Sequence, residues 1–329
     1  MRDLGLQRDG GNGEPSPAID RPSGRRRGDR VVGAGRVAHE IVDQAMAVAR
    51  SDRPVLLVGP AGAGKQHMAR AIHDWGTRKA GPFVVVSCAS VSENLIGREL
   101  FGCSESAHRS LPEEYAGGLA RAAAGTLVLD SAERLPAPVC ETLVRAIADG
   151  RFSREGDAAS APQRARVMAT ALAAPARSPF GELPHHVIRI PGLAERREDI
   201  LALAAHFLRL YADEAGLQPI GFTADAREAL LAEAWPGNVR ELSERVRQAI
   251  RLAGNGSITA EALLLATDGE SVPSFKEAKR AFEARYVRGV LQRCGGNISR
   301  AARLARKDRK DFYDVIRRTG IDPSEFRRD

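Results

Sequence analysis

Residues 55–66, VLLVGPAGAGKQ, decide the fold that this chain is predicted to adopt. An apolar run typical of a buried strand breaks into a glycine-rich loop, and QHMARAIHDW at 66–75 has the composition of a helix. Gly59, Gly62 and Gly64 permit positive φ and close backbone approach, so the loop amides can surround phosphate groups at a helix N-terminus. The order of strand, loop and helix predicts a P-loop, the phosphate-binding loop of many nucleotide-binding proteins.

Lys65 stands where the P-loop lysine reaches the terminal phosphates of a nucleotide. The strict motif continues with Ser or Thr, whose hydroxyl binds magnesium, and Gln66 departs from it. A flexible turn between a strand and a helix is the alternative interpretation. We expect nucleotide contacts along the whole loop, which comprises Gly59, Pro60, Ala61, Gly62, Ala63, Gly64, Lys65 and Gln66.

A second apolar strand, GTLVLDS at 125–131, supports the nucleotide site. It ends at Asp130, which we expect to hold Mg²⁺ together with bound ATP or ADP. The next position should carry the carboxylate that orients the attacking water, and it is Ser131. The chain therefore combines the signature of an ATP site with the loss of a group that hydrolysis requires.

Composition limits the classes of protein to which the chain can belong. Its 329 residues, 43% of them apolar, suffice for two or three domains with hydrophobic cores. The net charge of +7 favours an anionic partner, either nucleic acid or a membrane surface. No apolar run approaches the roughly 20 residues of a membrane span and no signal peptide is recognisable, so we expect a cytoplasmic protein. The four cysteines are widely separated, which favours free thiols over a zinc site.

Composition and periodicity divide the chain into segments. Residues 1–30 are rich in Gly, Pro, Arg and Asp and are predicted to form a disordered tail. Between 31 and 192, helical stretches alternate with the apolar runs VLLVG, PFVVVSC, TLVLD and ARVMAT, which predicts an α/β nucleotide-binding domain with a parallel sheet. Residues 193–266 are predicted to form an all-helical lid, and a polar linker at 267–274 leads to a small all-α domain at 275–329.

The last segment has the layout of a helix-turn-helix. A long amphipathic helix ends at CGGN, where Gly295 and Gly296 stop it and Asn297 can cap the next helix. Two short helices follow, with the small Ala301 and Ala302 where they would cross closely. A basic helical hairpin that binds protein is the alternative interpretation, since several aspartates dilute the positive charge.

The second short helix is predicted to enter the major groove of double-stranded DNA. Near the base edges it would place Arg309, Lys310, Asp311 and Asp314. The phosphates would be contacted by Arg300, Arg303, Lys307, Arg317 and Arg318.

From residue 31 onward the chain resembles the bacterial enhancer-binding proteins, the sigma-54-dependent activator family. The resemblance lies in GPFVVVSCASVSENLIGRELFG (81–102), GTLVLD (125–130), LAERREDI (193–200), WPGNVREL (235–242) and GGNISRAARLA (295–305). It implies a ring-forming AAA+ domain with a helical lid, followed by a Fis-type helix-turn-helix domain. It also implies that Arg240 of WPGNVREL is a sensor that reaches the nucleotide phosphates.

The chain departs from this family in the loop that grips the sigma factor. Where the family has GAFTGA, this chain has Ser106, Ala107, His108, Arg109, Ser110 and Leu111. The aromatic residue and the threonine are both replaced. The resemblance therefore implies impaired contact with sigma-54 and its RNA polymerase.

The positions that the family uses for hydrolysis also differ. Ser131 replaces the water-orienting Glu, and Ser87 stands where the family has the Asn that switches that Glu. Leu172 lies where the Asn of the first sensor is expected. Gly181 and His186 occupy the two arginine-finger positions, and neither supplies a guanidinium.

These losses predict a module that binds ATP and hydrolyses it weakly or not at all. A positioned base contributes about 10² to 10⁴ in rate, and an arginine finger contributes about 10³ to 10⁵. Glu133, two residues beyond Ser131, is the nearest substitute acid, but its expected register at the strand exit argues against that role.

Three functions are consistent with these features. The first is a DNA-binding transcription regulator whose AAA+ domain is a nucleotide-stabilised scaffold for a homo-oligomer, either a dimer or a ring. The second is a working sigma-54 activator ATPase that tolerates the substitutions. The third is a non-catalytic partner subunit that modulates rings of an intact homologue.

Overall fold

The computed structural model describes residues 31–104, 115–173, 179–181, 183–266 and 275–326. The predicted tail, the predicted linker and the predicted sigma-contact loop at 106–111 lie outside these residues. The chain divides into two compact units, the first ending at Thr259 and the second beginning at Ala260. Across the described ranges, no helix combines the length and the apolar composition needed to cross a membrane. All four cysteines are among the described residues and are free thiols.

A parallel sheet forms the centre of the first unit. Its strands are β1 (Val55–Val58), β2 (Phe83–Ser87), β3 (Thr126–Asp130), β6 (Arg166–Ala171) and β7 (His186–Arg189). They lie in the order β2-β3-β6-β1-β7. A separate antiparallel hairpin consists of β4 (Arg151–Ser153) and β5 (Ser160–Pro162). The helices of this part are α1 (Arg36–Ala49), α2 (Lys65–Trp75), α3 (Glu93–Phe101), α4 (Gly118–Arg121) and α5 (Ala137–Asp149).

The sheet confirms the predicted α/β fold, because β1, β2, β3 and β6 coincide with the four apolar runs. Successive residues of β1 enter different cores: Val55 and Leu57 pack with α1 and α2, whereas Leu56 packs on the opposite face with α3 and α5. Burial on both faces explains why these strands read as continuous apolar runs. β7 was not predicted, since it is an edge strand in which Ile188 alone is buried.

The helices α6 (Asp199–Ala215), α7 (Ala224–Ala232) and α8 (Asn238–Ala253) form the predicted lid. The lid also contains two strands that the sequence did not predict, β8 (Gly221–Phe222) and β9 (Ser257–Ile258), which pair in parallel. Each strand has two residues, which is too few for an alternating pattern to be recognisable.

The second unit contains α9 (Ala260–Leu265), α10 (Phe275–Arg293), α11 (Ile298–Leu304) and α12 (Arg309–Thr319). Its core includes the fully buried side chains of Leu291 and Phe312, and the buried Ala301 and Ala302 lie in the same cluster. As predicted, Asn297 caps α11, its side chain accepting a hydrogen bond from the backbone nitrogen of Arg300 (3.0 Å). The small side chains of Ala301 and Ala302 let α11 and α12 approach closely.

Candidate functional site

The loop between β1 and α2 has the geometry of a phosphate-binding loop. Gly62 and Gly64 have φ of +73° and +100°, which side chains with a Cβ rarely adopt. Gly59 is required for a different reason: a Cβ there would lie 2.0 Å from the carbonyl oxygen of Ile190. At Gly62 a Cβ would also lie 2.1 Å from the carbonyl oxygen of Gly237 in the lid. The backbone therefore encloses Gly59 and Gly62 so closely that only glycine fits there, whereas at Gly64 the positive φ alone favours glycine.

Lys65 begins α2 and faces back over the loop. Its Nζ donates hydrogen bonds to the carbonyl oxygens of Gly59 (2.7 Å) and Pro60 (2.9 Å). Burial lowers the pKa of Lys65, while the negative charges of Asp130 and Glu133 act in the opposite direction. The ammonium of Lys65 therefore lies beside the loop, where it can pair with a phosphate that binds there.

Asp130 lies at the carboxyl end of β3, at the same edge of the sheet as the phosphate loop. The hydroxyl of Thr170 on β6 donates a hydrogen bond to Asp130 Oδ1 (2.7 Å) and accepts one from the backbone nitrogen of Ser131 (3.2 Å). Ser131 has φ of 59°, which is uncommon for a residue with a side chain. Thr170, which the sequence did not single out, therefore fixes both the carboxylate and the turn after it.

We expect Thr170→Val to lower the free energy of unfolding by about 1–3 kcal/mol, because a partly buried backbone N–H and a carboxylate oxygen would lose their partner. Urea denaturation measures the change. Thr142→Val is the matched control, since the Thr142 hydroxyl donates to the carbonyl of Pro138 (2.9 Å) on an exposed helix surface. Equal effects of the two substitutions would contradict the role assigned to Thr170.

A cleft of about 380 Å³ covers these groups. It is lined by Ala61, Gly62, Ala63, Gly64, Lys65, Gln66, His67, Asp130, Ser131, Glu133, Thr170, Ala171, Leu172 and Arg240. The structure thus brings together the predicted nucleotide contacts from three separate parts of the chain. Gly59 and Pro60 are not in this lining and instead accept the hydrogen bonds of Lys65.

The lid is attached to the phosphate loop at the start of α8. The backbone nitrogen of Arg240 donates to the carbonyl of Gly62 (3.2 Å). Asn238, buried and with φ of 55°, donates through Nδ2 to the carbonyl of Ala61 (2.9 Å) and accepts from the backbone nitrogen of Leu193 (2.7 Å). These bonds place Arg240 at the cleft and connect the start of α8 to the phosphate loop and to Leu193.

A second, mainly apolar pocket of about 130 Å³ adjoins the cleft and shares Ala63, Gly64 and His67 with it. Its other lining residues are Val31, Val32, Ala38, Ile41, Met68, Ile190, Arg196, Leu203, His206, Phe207, Leu210 and Val239. An apolar pocket that opens beside a phosphate-binding loop suits the base of a nucleotide. Sequence reasoning missed this pocket because its residues come from four distant segments without a common motif.

A buried carboxylate binds the segment around residues 34–35, next to residues that line this pocket. Asp199 is fully buried, and its Oδ1 accepts hydrogen bonds from the backbone nitrogens of Ala34 and Gly35, both at 2.8 Å. Its Oδ2 lies 4.0 Å from Arg196 Nη1, while Arg196 Nη2 donates to the carbonyl of Ala63 (2.7 Å). Asp199 therefore binds residues 34–35, and its partner Arg196 binds the phosphate loop.

The structure also places the residues that the sequence analysis assigned to hydrolytic positions. Ser87 lies beside Asp130 in the β2–β3 pairing, and Leu172 lines the cleft with 54% of its surface exposed. Gly181 has φ of 54°. His186 begins β7 opposite the first residue of β1, so it lies at the sheet edge away from the phosphate loop. This placement leaves His186 outside the cleft of its own subunit.

In the second unit, all of the side chains predicted to contact DNA are exposed, namely Arg300, Arg303, Lys307, Arg309, Lys310, Asp311, Asp314, Arg317 and Arg318. Arg318 forms an ion pair, its Nε lying 3.5 Å from Glu283 Oε2 on α10. Sequence reasoning missed Arg293, which lines an open groove together with Arg300 and Arg303. The surface is therefore more basic than the predicted set alone.

Comparison with known proteins identifies two families along the chain. Residues 31–178 match the Sigma-54 interaction domain, and residues 194–279 match the AAA+ ATPase lid domain. The transcriptional regulatory protein GlrR of Escherichia coli (strain K12) is 34% identical over 298 residues, covering 87% of this chain and 67% of GlrR. The nitrogen assimilation regulatory protein NtrX of Azorhizobium caulinodans is 32% identical over 320 residues, covering 88% of this chain and 69% of that protein.

Solved structures show the same fold. NtrX from Brucella abortus in complex with ADP has a TM-score of 0.65 and 28% identity, over 89% of this chain and 71% of that chain. The same protein in complex with ATP has a TM-score of 0.64 and 27% identity, over 88% and 69% of the two chains. The similarity extends from the phosphate loop through the lid. The chain therefore belongs to the sigma-54-dependent transcriptional regulators, a family of AAA+ proteins.

Proposed function

We propose that this chain is a DNA-binding transcription regulator in which the AAA+ unit binds ATP, hydrolyses it slowly and supports a homo-oligomer. The observation that carries the proposal is the composition of the cleft. Lys65, Asp130 and Arg240 line it beside the glycine-rich loop, whereas Ser131 stands where a water-orienting carboxylate is needed. The groups that bind a nucleotide are retained, and those that cleave it are reduced.

ATP and ADP are supported as ligands by the two adjoining pockets, one mainly apolar and one lined by the glycine-rich loop and Lys65. NtrX of Brucella abortus has been solved with each of these nucleotides. Asp130 would hold Mg²⁺, which neutralises phosphate charge when it is bound. Thr170 occupies one oxygen of that carboxylate and leaves Asp130 Oδ2 available for the ion.

Slow hydrolysis is supported by the residue types at Ser131, Gly181 and His186, which supply neither a carboxylate nor a guanidinium. Removing a base costs about 10² to 10⁴ in rate, and removing an arginine finger costs about 10³ to 10⁵. These factors do not multiply freely, because groups that act as a unit are not additive. Enzymes typically turn over at about 10 s⁻¹, so the loss of an arginine finger alone, about 10³-fold or more, would lower the rate to about 10⁻² s⁻¹ or less.

Impaired contact with sigma-54 is the second part of the proposal. His108 and Arg109 stand where the family has an aromatic residue and a threonine at the tip of the contact loop. An imidazole and a guanidinium replace an apolar contact and a small side chain. A binding assay with purified sigma-54 tests this part, and affinity equal to that of an intact family member would contradict it.

DNA binding is supported by the layout of α11 and α12 and by the exposed basic surface around them. We expect Arg309→Ala with Lys310→Ala to weaken operator binding by about 1–3 kcal/mol for each base-specific hydrogen-bonding pair that the substitutions remove. If these side chains also bind phosphates, their removal would reduce the salt dependence of binding. A titration of labelled operator DNA at several salt concentrations measures both quantities.

The matched control is Lys79→Ala with Arg145→Ala, two exposed basic residues in the first unit that lie outside the proposed DNA surface. This pair removes the same net charge. If both double variants reduce affinity equally, binding depends on net charge alone and the assignment of α12 is wrong.

A further inference from the structure

The turn after β3 directs Glu133 into the nucleotide cleft. At Ser131 the backbone adopts φ 59° and ψ 49°, so the chain leaves the strand direction there. Residues 132–134 then form a 3₁₀ turn, closed by a hydrogen bond from the nitrogen of Arg134 to the carbonyl of Ser131 (3.0 Å). Ala132 is buried beneath the turn, while Glu133 is exposed and lines the cleft. The expected register of Glu133 was wrong because it assumed that the strand direction continues.

Among the described residues that line the cleft, two are carboxylic acids, Asp130 and Glu133. Asp130 is held by the hydroxyl of Thr170 and is the residue suited to Mg²⁺. Glu133 makes no side-chain hydrogen bond or ion pair within the described part of the chain. It lies close enough to Lys65 for its negative charge to oppose the lowering of the lysine pKa that burial causes. A carboxylate without a structural partner therefore faces the site of the terminal phosphates.

We propose that Glu133 is the general base for the slow hydrolysis of ATP, in place of the carboxylate that is absent at position 131. This assignment depends on the proposed binding of ATP. The oxygen of a water molecule forms a bond to the γ-phosphorus while the bond from that phosphorus to the β,γ-bridging oxygen breaks. The bridging oxygen keeps the electron pair and leaves on ADP. Glu133 accepts one proton from the water and then releases it to solvent, which leaves inorganic phosphate.

The same geometry explains why the reaction stays slow. Glu133 is exposed to solvent, where its carboxylate is held by no neighbouring donor among the described residues. A base that is not fixed in orientation loses part of the advantage of proximity. The absent arginine fingers remove a further contribution to stabilising the transition state.

The test is the conversion of bound ATP to ADP by the full chain with Mg²⁺, under conditions in which protein exceeds ATP. We expect Glu133→Gln to reduce the first-order rate by about 10²-fold, the lower end of the range for a positioned base, while the Kd for ATP remains unchanged. Glu133→Asp keeps a carboxylate on a shorter side chain and should retain part of the rate. Glu141→Gln is the charge control, because Glu141 is exposed on α5 and outside the cleft lining.

The outcomes separate this assignment from the proposed function. A rate in Glu133→Gln equal to that of the unchanged chain, with ATP bound, overturns the role of Glu133 alone. Complete absence of conversion in the unchanged chain also overturns it, because no hydrolysis would remain to be assigned. Failure of the unchanged chain to bind ATP overturns the proposed function itself.

Discussion

Replacing Lys65 with alanine is expected to weaken ATP binding by about 10- to 100-fold, since a hydrogen bond to a charged group contributes about 1.5–3 kcal/mol. Lys65 is the one lysine that lines the described cleft, and its ammonium already lies at the mouth of the loop, 2.7 Å from the carbonyl of Gly59. A phosphate would replace these carbonyls as its partner. Isothermal titration with ATP and Mg²⁺ measures the loss.

The control for this prediction is Lys79→Ala, which removes an exposed lysine at a distance from the loop. It should leave ATP affinity unchanged. If Lys65→Ala binds ATP as tightly as the unchanged chain, the phosphate loop is vestigial and the nucleotide-dependent part of the proposed function is wrong.

Asp199→Ala is expected to lower the free energy of unfolding of the first unit by about 3–5 kcal/mol, the usual cost of removing one partner of a buried ion pair. The guanidinium of Arg196 would remain buried without its counter-charge. The backbone nitrogens of Ala34 and Gly35 would also lose their acceptor. Urea denaturation of the full chain, followed by circular dichroism, measures the change.

Glu214→Ala on the same helix is the control, because Glu214 is exposed and its removal should change stability little. The apolar pocket provides a second measurement. Since Asp199 binds the segment that lines the pocket, the Asp199→Ala protein that still folds should also bind ATP more weakly. Stability within about 1 kcal/mol of the unchanged chain, the range of ordinary substitutions, would contradict the structural role given to Asp199.

The central fold could be predicted because its signals are local. β1, β3 and the phosphate loop each consist of a continuous stretch whose apolar run, glycines or terminal aspartate are visible without tertiary information. β7 escaped prediction because an edge strand buries few residues, and HVIR has no distinctive pattern. The two-residue strands of the lid are too short to show an alternating pattern, and they are recognised only from their pairing with each other.

The site was predictable only in part, because local motifs are visible in the sequence and contacts between distant segments are not. The loop, Asp130 and Ser131 were expected to share one site, and all of them line the cleft apart from the first two loop residues. Thr170 was missed because its role depends on strand pairing between β3 and β6. Glu133 was misplaced because nothing in the sequence signals a left-handed conformation at a serine. Asp199 was missed because its partners, Ala34 and Gly35, are more than 160 residues away along the chain.

The fate of bound ATP tests most directly whether the chain binds ATP and cleaves it slowly. The full chain would be loaded with ATP and Mg²⁺, freed of excess nucleotide, and quenched in acid at intervals to determine the ratio of ATP to ADP. A working ATPase with a typical rate of about 1 s⁻¹ or more would convert its ATP within seconds. We expect close to one nucleotide per chain, most of it still ATP after several minutes. Complete conversion to ADP within seconds would contradict it.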